Sequence, residues 1–169
     1  LQEYGGFVSG SIAEGNEWNA TGAANLPIFK DRLGIRVAGF TSKDRGNDVG
    51  RVNLFTKTID NDVSDRIESF RGSVRAVPFV DVLTLDFNYE DTKRKVRSFE
   101  QYESRGFVEG GTLNGPVTIS SKDYLGIQIL PNTLDGRYKF YNWQAALDLG
   151  AHTMTYVGGQ LDAVSNALA

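Results

Sequence analysis

From Ser69 to Ala76 the chain alternates polar with apolar or small residues without a break. Ser69, Arg71, Ser73 and Arg75 fall on one side, and Phe70, Gly72, Val74 and Ala76 on the other. From Leu83 to Glu90 the same order returns, Leu83, Leu85, Phe87 and Tyr89 opposing Thr84, Asp86, Asn88 and Glu90. A period of two sustained over such runs fits a strand and no helical stripe. Between them Phe79-Val80-Asp81-Val82 has the length of a tight connection, which predicts a β-hairpin. Counting back from a loop at Phe79–Val82 sets Arg75 opposite Asp86 and Arg71 opposite Glu90. Opposite charges facing across an antiparallel pair favour that register by roughly 0.2–1 kcal/mol each. A slip of one residue would move every charge to the apolar side.

The grammar recurs along the chain. Tyr141, Trp143, Ala145, Leu147 and Leu149 oppose Asn142, Gln144 and Asp148. A short turn at Gly150-Ala151 then leads into a Thr/Tyr/Val-rich return from His152 to Val164. Gly6 to Ala13 and Trp18 to Leu26 flank a turn at Glu14-Gly15-Asn16-Glu17, and Phe29-Lys30-Asp31-Arg32 leads into Leu33 to Ser42. The expected fold is all-β, an antiparallel up-and-down meander of about seven strands. Turns near 28–32, 79–82 and 150–151 are short, whereas the connections at about 44–66 and 92–137 are long; the one at 14–17 is the exception. Since strands alternate in direction, the short turns share one end and the long loops the other. Bacterial outer-membrane barrels have this layout, with short periplasmic turns and long outer loops. A loop as long as 92–137 would count against a compact soluble domain.

Composition narrows the classes. The 169 residues carry a net charge of −3 and no cysteine. The charge balance offers no basic field for nucleic acid, and without thiols there is neither a disulfide framework nor a thiolate metal site. No run approaches the roughly 20 apolar residues of a spanning helix, but alternating barrel strands escape such a scan. Leu1 is no initiator Met, no signal peptide opens the chain, and no terminal strand or cap is evident at 165–169. The expectation is a fragment of a large transmembrane β-barrel, occupying 1–169. An open sheet with two free edges and a bare apolar side is not expected to fold stably alone in buffer.

The run Asn19 to Gly46, NATGAANLPIFKDRLGIRVAGFTSKDRG, resembles the second and third barrel strands of TonB-dependent outer-membrane receptors. Those proteins often carry a Gly-Ala-x-Asn-x-Pro strand end, a short Asp-containing turn and a Leu-x-x-Arg-Val-Ala-Gly strand. Gly22, Ala23, Asn25, Pro27, Asp31, Leu33, Arg36, Val37, Ala38 and Gly39 occupy the matching positions. The pairs at 67–93 and 138–164 resemble the hairpins that follow. The family's plug domain and TonB-binding box are not in the chain, nor does it end on a strand-terminal aromatic. The resemblance implies the N-terminal part of a barrel in the bacterial outer membrane, surrounded by lipid and enclosing a plug domain of the same full-length protein. It implies active uptake of a scarce nutrient such as an iron-siderophore, coupled to TonB through the missing N-terminal region.

On that reading Arg71, Arg75, Asp86 and Glu90 face the lumen and are candidates to contact the plug or a passing substrate. The bland alternative is a ladder of charges that satisfy one another on a wet wall. The mixed-sign segment Glu90 to Arg105 is expected to be a solvated loop, with Phe99 and Tyr102 as candidate ligand contacts because functional loops gather binding residues. The lone His152 makes no zinc site. No triad or phosphate-cradling glycine loop stands out, so no enzyme activity, metal or cofactor is expected. Two other readings stay open. One is a soluble β-sandwich, a module that binds carbohydrate for example, in which a second sheet covers the apolar side. The other is a passive barrel without a plug.

Overall fold

The computed structural model describes residues 3–46, 48–53, 56, 58–99, 124–126 and 130–168. The protein is all-β, with ten strands and one short 3-10 turn at Glu14–Asn16 among the described residues. The strands are β1 (Gly5–Ala13), β2 (Glu17–Phe29), β3 (Leu33–Asp44), β4 (Gly50–Val52), β5 (Ile59–Asp60), β6 (Ser64–Phe79), β7 (Leu83–Ser98), β8 (Leu125–Gly126), β9 (Asn132–Asp148) and β10 (Thr153–Leu168). Seven of them form one sheet in the order β1-β2-β3-β6-β7-β9-β10, and every neighbouring pair is antiparallel. This is the expected meander.

The hairpin register is the one its charges favour: Arg75 stands opposite Asp86 and Arg71 opposite Glu90. The strands are longer than alternation alone marks, however. β7 continues to Ser98 and β9 begins at Asn132, so the segment from Glu90 onward, expected to be loop, is strand for its first half. The long connections shrink accordingly to 45–63 and 99–131. They also hold structure of their own. β4 pairs antiparallel with β5 and parallel with β8, giving a second sheet of three short strands.

Two of the short turns share one construction. Phe29-Lys30-Asp31-Arg32-Leu33 and Phe79-Val80-Asp81-Val82-Leu83 both place an Asp at positive φ, 58° at Asp31 and 61° at Asp81. In both, the amide two residues from a strand-end Phe carbonyl is skipped and the next one closes the turn, Arg32 N to Phe29 O at 3.0 Å and Val82 N to Phe79 O at 3.1 Å. Asp and Asn accept the left-handed region better than other non-glycine residues because their short polar side chains bond locally. Each turn is preceded by a register irregularity beside a proline, Pro27 in β2 and Pro78 in β6, where a residue without an N–H costs no ladder bond. The last turn residue then accepts a bond from the next strand over, Val77 N to Arg32 O at 2.6 Å and Asp148 N to Val82 O at 2.8 Å. The short-turn end is thus stitched across hairpins.

Large apolar side chains are fully buried only at the opposite end. Val49, Val52, Val63 and Phe99 are the buried hydrophobics among the described residues, and none belongs to the seven-stranded sheet. Replacing Asp81 with Ala is expected to cost about 1 kcal/mol, the lower end of the range for a strained backbone position, while Asp81→Gly is expected to be near neutral. Urea unfolding of the two variants in detergent micelles, compared with the parent chain, checks this.

Candidate functional site

Because paired residues share a side of the sheet, the register sorts the strands into two faces. On the first, one cross-strand row reads Phe29, Leu33, Ala76, Leu85, Ala145 and Tyr156. The next reads Leu26, Ile35, Val74, Phe87, Trp143 and Gly158, and the one beyond it Ala24, Val37, Gly72, Tyr89, Tyr141 and Gln160. Aromatic side chains close this band. Phe70, Tyr89 and Tyr141 form a contiguous line, with ring centroids 6.5 Å apart for the first pair and 5.0 Å for the second. At the short-turn end sit Phe29 and Phe79, both exposed. The Trp143 indole lies across Gly158, where a Cβ would come within 2.5 Å of the ring, so the cross-strand partner of this indole has to be small.

Nothing covers the band among the described residues: Phe87 is 43% and Phe70 48% exposed. At one side chain per about 4.8 × 6.8 Å of each face, the apolar rows occupy roughly 600 Å². That lies at the upper limit of what soluble monomers leave bare. On the same face, one row beyond Tyr89 and Tyr141, polarity reverses. Asp91, Lys139 and Asp162 come first, then Glu68, Lys93 and Arg137, then Lys43, Arg66, Lys95 and Asp135.

The other face carries the four lumen candidates and brings them together. Arg75 donates to Asp86 through Nε at 2.7 Å and Nη2 at 3.1 Å. Arg71 donates through Nε to Glu90 at 3.0 Å. Asn88 Nδ2 donates to Asn142 Oδ1 at 2.7 Å, Arg36 Nη1 to Asn25 Oδ1 at 2.7 Å, and the Ser69 and Thr92 hydroxyls meet at 2.8 Å. This is the self-satisfied ladder, which leaves the Arg71 and Arg75 side chains more than half exposed. A groove of about 790 Å³ runs along it, lined by Ser73, Arg75, Asp86, Asn88, Asn142 and Gln144 and as much by apolar residues, Phe140 and Val157 among them. The face is less uniformly polar than alternation implies, since Phe40, Phe140, Val157 and Leu161 interrupt its rows.

Phe99 departs from its expected role. It is fully buried, with two guanidiniums near the ring, Arg97 at 5.3 Å and Arg51 at 5.6 Å from its centroid. A covered ring presents no surface to a ligand; it packs in one cluster with Val49 and Val63. Tyr102 lies outside the described residues. The two arginines converge on Asp60, at 3.0 Å from Arg97 and 3.3 Å from Arg51. Arg97 also reaches the Asp62 carbonyl and carboxylate. The hydrogen bond from Arg97 is the main cause holding the Asp60 carboxyl below its ordinary range, helped by the Asp62 backbone N–H at 3.0 Å. A third guanidinium, Arg94, donates through Nε to both carboxylate oxygens of the nearly buried Asp65, at 3.0 and 3.1 Å. None of these loop-end partners is signalled by alternation, because Arg51, Asp60 and Arg97 come from segments too short or too far apart in the chain to fix a register.

Among the described residues, no group of three or more His, Asp or Glu is placed to hold a metal ion. Comparison with known protein families, curated proteins and solved structures finds no match to the chain.

Charge reversal tests the ladder. Arg75→Asp alone is expected to destabilise the sheet, and adding Asp86→Arg to restore much of the loss, with a coupling of about 0.2–1 kcal/mol in a double-mutant cycle. Acid tests the loop-end cap. A carboxyl whose folded pKa is lowered stabilises the fold above its unfolded value near 3.9 and loses that contribution as pH falls through the lower folded value. Proteolysis within 45–63 is therefore expected to accelerate below about pH 4, and Asp60→Asn to be cut readily already at neutral pH.

Proposed function

We propose that this chain is part of the wall of an outer-membrane β-barrel, with the apolar band against lipid and the Arg71/Arg75 ladder facing the lumen. The observation that carries this reading is the reversal of polarity within one face. A soluble sheet packed on a second sheet has no use for an aromatic line followed at once by charged rows. A barrel wall needs that sequence: apolar side chains at lipid depth, aromatics at the interface, charges in water. From Phe70 to Phe79 the band on β6 is about as long as the 9–11 residues with which a tilted strand crosses a bilayer. Beyond it the strands continue into water, where the small sheet caps the long connections.

The narrower reading is a TonB-dependent transporter, taking up a scarce nutrient such as an iron-siderophore complex. It is supported by the resemblance in Asn19 to Gly46, residues that form the β2–β3 hairpin and its Asp31 turn. In such a transporter the exposed side chains of Arg71 and Arg75 face the plug domain.

The two tryptophans make a direct probe, since Trp143 lies mid-band and Trp18 pairs with Lys43 in the charged rows. In vesicles containing lipids brominated along the acyl chain, Trp143 fluorescence is expected to be strongly quenched in a Trp18→Phe variant. Trp18, isolated by Trp143→Phe, is expected to be quenched weakly. Phe87→Arg is expected to cost about 2–4 kcal/mol in the bilayer, while Asn88→Arg on the opposite face costs far less. A water-soluble monomer with both tryptophans unquenched would overturn the barrel and favour the β-sandwich. Uptake of labelled iron chelate by cells making the complete receptor, abolished by collapsing the proton gradient, separates active transport from a passive pore.

A further inference from the structure

On the lipid-facing side, β1, β2, β3 and β6 leave a shallow depression of about 330 Å³ whose lining contains no polar side chain. It exists because Gly22 and Gly39 stand side by side in the row that runs on through Phe70 to Asp91, with Val8 and Val37 as its walls. A Cβ on Gly39 would find ordinary room, 3.9 Å from the nearest atom, whereas one on Gly22 would come within 3.3 Å of the Phe7 carbonyl oxygen, so the unfilled space lies over Gly39.

Directly above it, on the same face and partly the same strands, Lys43, Arg66 and Lys95 stand opposite one another in three adjacent strands. Like charges directly opposite destabilise a sheet. Arg66 is relieved by Glu68 at 3.0 Å and Lys95 by Asp135 at 3.4 Å, all four well exposed. Lys43 and the neighbouring Lys93 form no ion pair with any described residue. The row therefore keeps a positive surplus, two rows beyond the Asp91/Lys139/Asp162 row at which the face leaves the apolar band. Gly39 and Lys43 are about 13 Å apart along the strand at ~3.3 Å per residue, or roughly 10 Å in height for a tilted barrel strand. Lys and Arg stems bend back over such a distance.

We propose that this surface seats an anionic lipid, one acyl chain in the Gly22/Gly39 hollow and its phosphate-bearing headgroup against Lys43, Arg66, Lys93 and Lys95. The inference rests on the barrel reading, and adds to it a site on the outside of the wall. The anion offsets the repulsion within the cation row, and the hollow fixes where along the wall that anion sits.

The test uses the whole chain folded into uncharged maltoside micelles and titrated with phosphatidylglycerol, phosphatidylcholine or inorganic phosphate, with bound lipid read by native mass spectrometry. Phosphatidylglycerol is expected to bind more tightly than phosphatidylcholine, by about fivefold for each cation engaged. Lys43→Gln, which removes no ion pair, is expected to cut that preference about fivefold, and Lys43→Gln, Arg66→Gln and Lys95→Gln together to remove it. Gly39→Leu, which fills the hollow, is expected to weaken both lipids while sparing the preference. Equal binding of the two lipids, or a preference that survives the triple substitution, overturns the proposal. So does displacement of the lipid preference by inorganic phosphate bound on its own, which would assign the row to a free anion. A chain that enters neither micelles nor vesicles overturns the barrel reading beneath; one that inserts without headgroup preference overturns this inference alone.

Discussion

Arg75 meets Asp86, and Phe87 lies between Val74 and Trp143, in only one register of the β6–β7–β9 ladder. Each residue of an extended strand is committed to one face, so that register decides at once which side chains gather in the band and which in the polar ladder. Moving one strand by a single position would drive its charges into the apolar rows. The arginine–carboxylate pairs contribute little energy individually. Their weight is that they agree with the apolar rows, and two independent patterns that name the same register make the alternatives costly.

The sheet is unusual in what holds it. Its large apolar side chains are half-exposed, so the stabilisation that a soluble domain draws from a buried core is here left to whatever surrounds the band. Inside the described residues, the sheet relies on its backbone ladder, the polar cross-strand pairs and the turn-to-strand bonds at Arg32 and Val82. The core among the described residues is small and sits at the far end, where Arg51 and Arg97 approach the Phe99 ring. There the chain uses charge to bury an aromatic. Asp60 neutralises both guanidiniums, and their flat faces replace aliphatic neighbours around the ring.

Much of the meander was legible in the sequence, because alternation is a local property and the strands that show it best, 69–76 and 83–90, are adjacent in the sheet. The hairpin register was legible too, since both partners of each ion pair lie within one short stretch. The long connections were not. β4 and β8 join Gly50 to Leu125, a parallel contact between segments with neither the length nor the periodicity of a strand. Phe99 reads in the sequence as one aromatic in a charged run, and only the convergence of Arg51, Arg97 and Asp60 from three segments covers it. The extension of β7 through Lys93, Arg94 and Lys95 was hidden for a similar reason. In water both faces of a strand can be charged, so the alternation that marks the band fades where the band ends.

The parallel pairing of β4 with β8 also has a bearing on how the molecule assembles. Hairpins such as β6–β7 close locally and can form as soon as their two strands exist. β4 likewise closes locally with β5, but its parallel partner β8 follows only after the whole of β5, β6 and β7. Contacts so distant along the chain form slowly, since the entropy of closing the intervening loop is spent before any bond rewards it. The β8 side of the rim is thus slow to set, and until it does, the edge of β4 at Gly50 and Arg51 stays open to water.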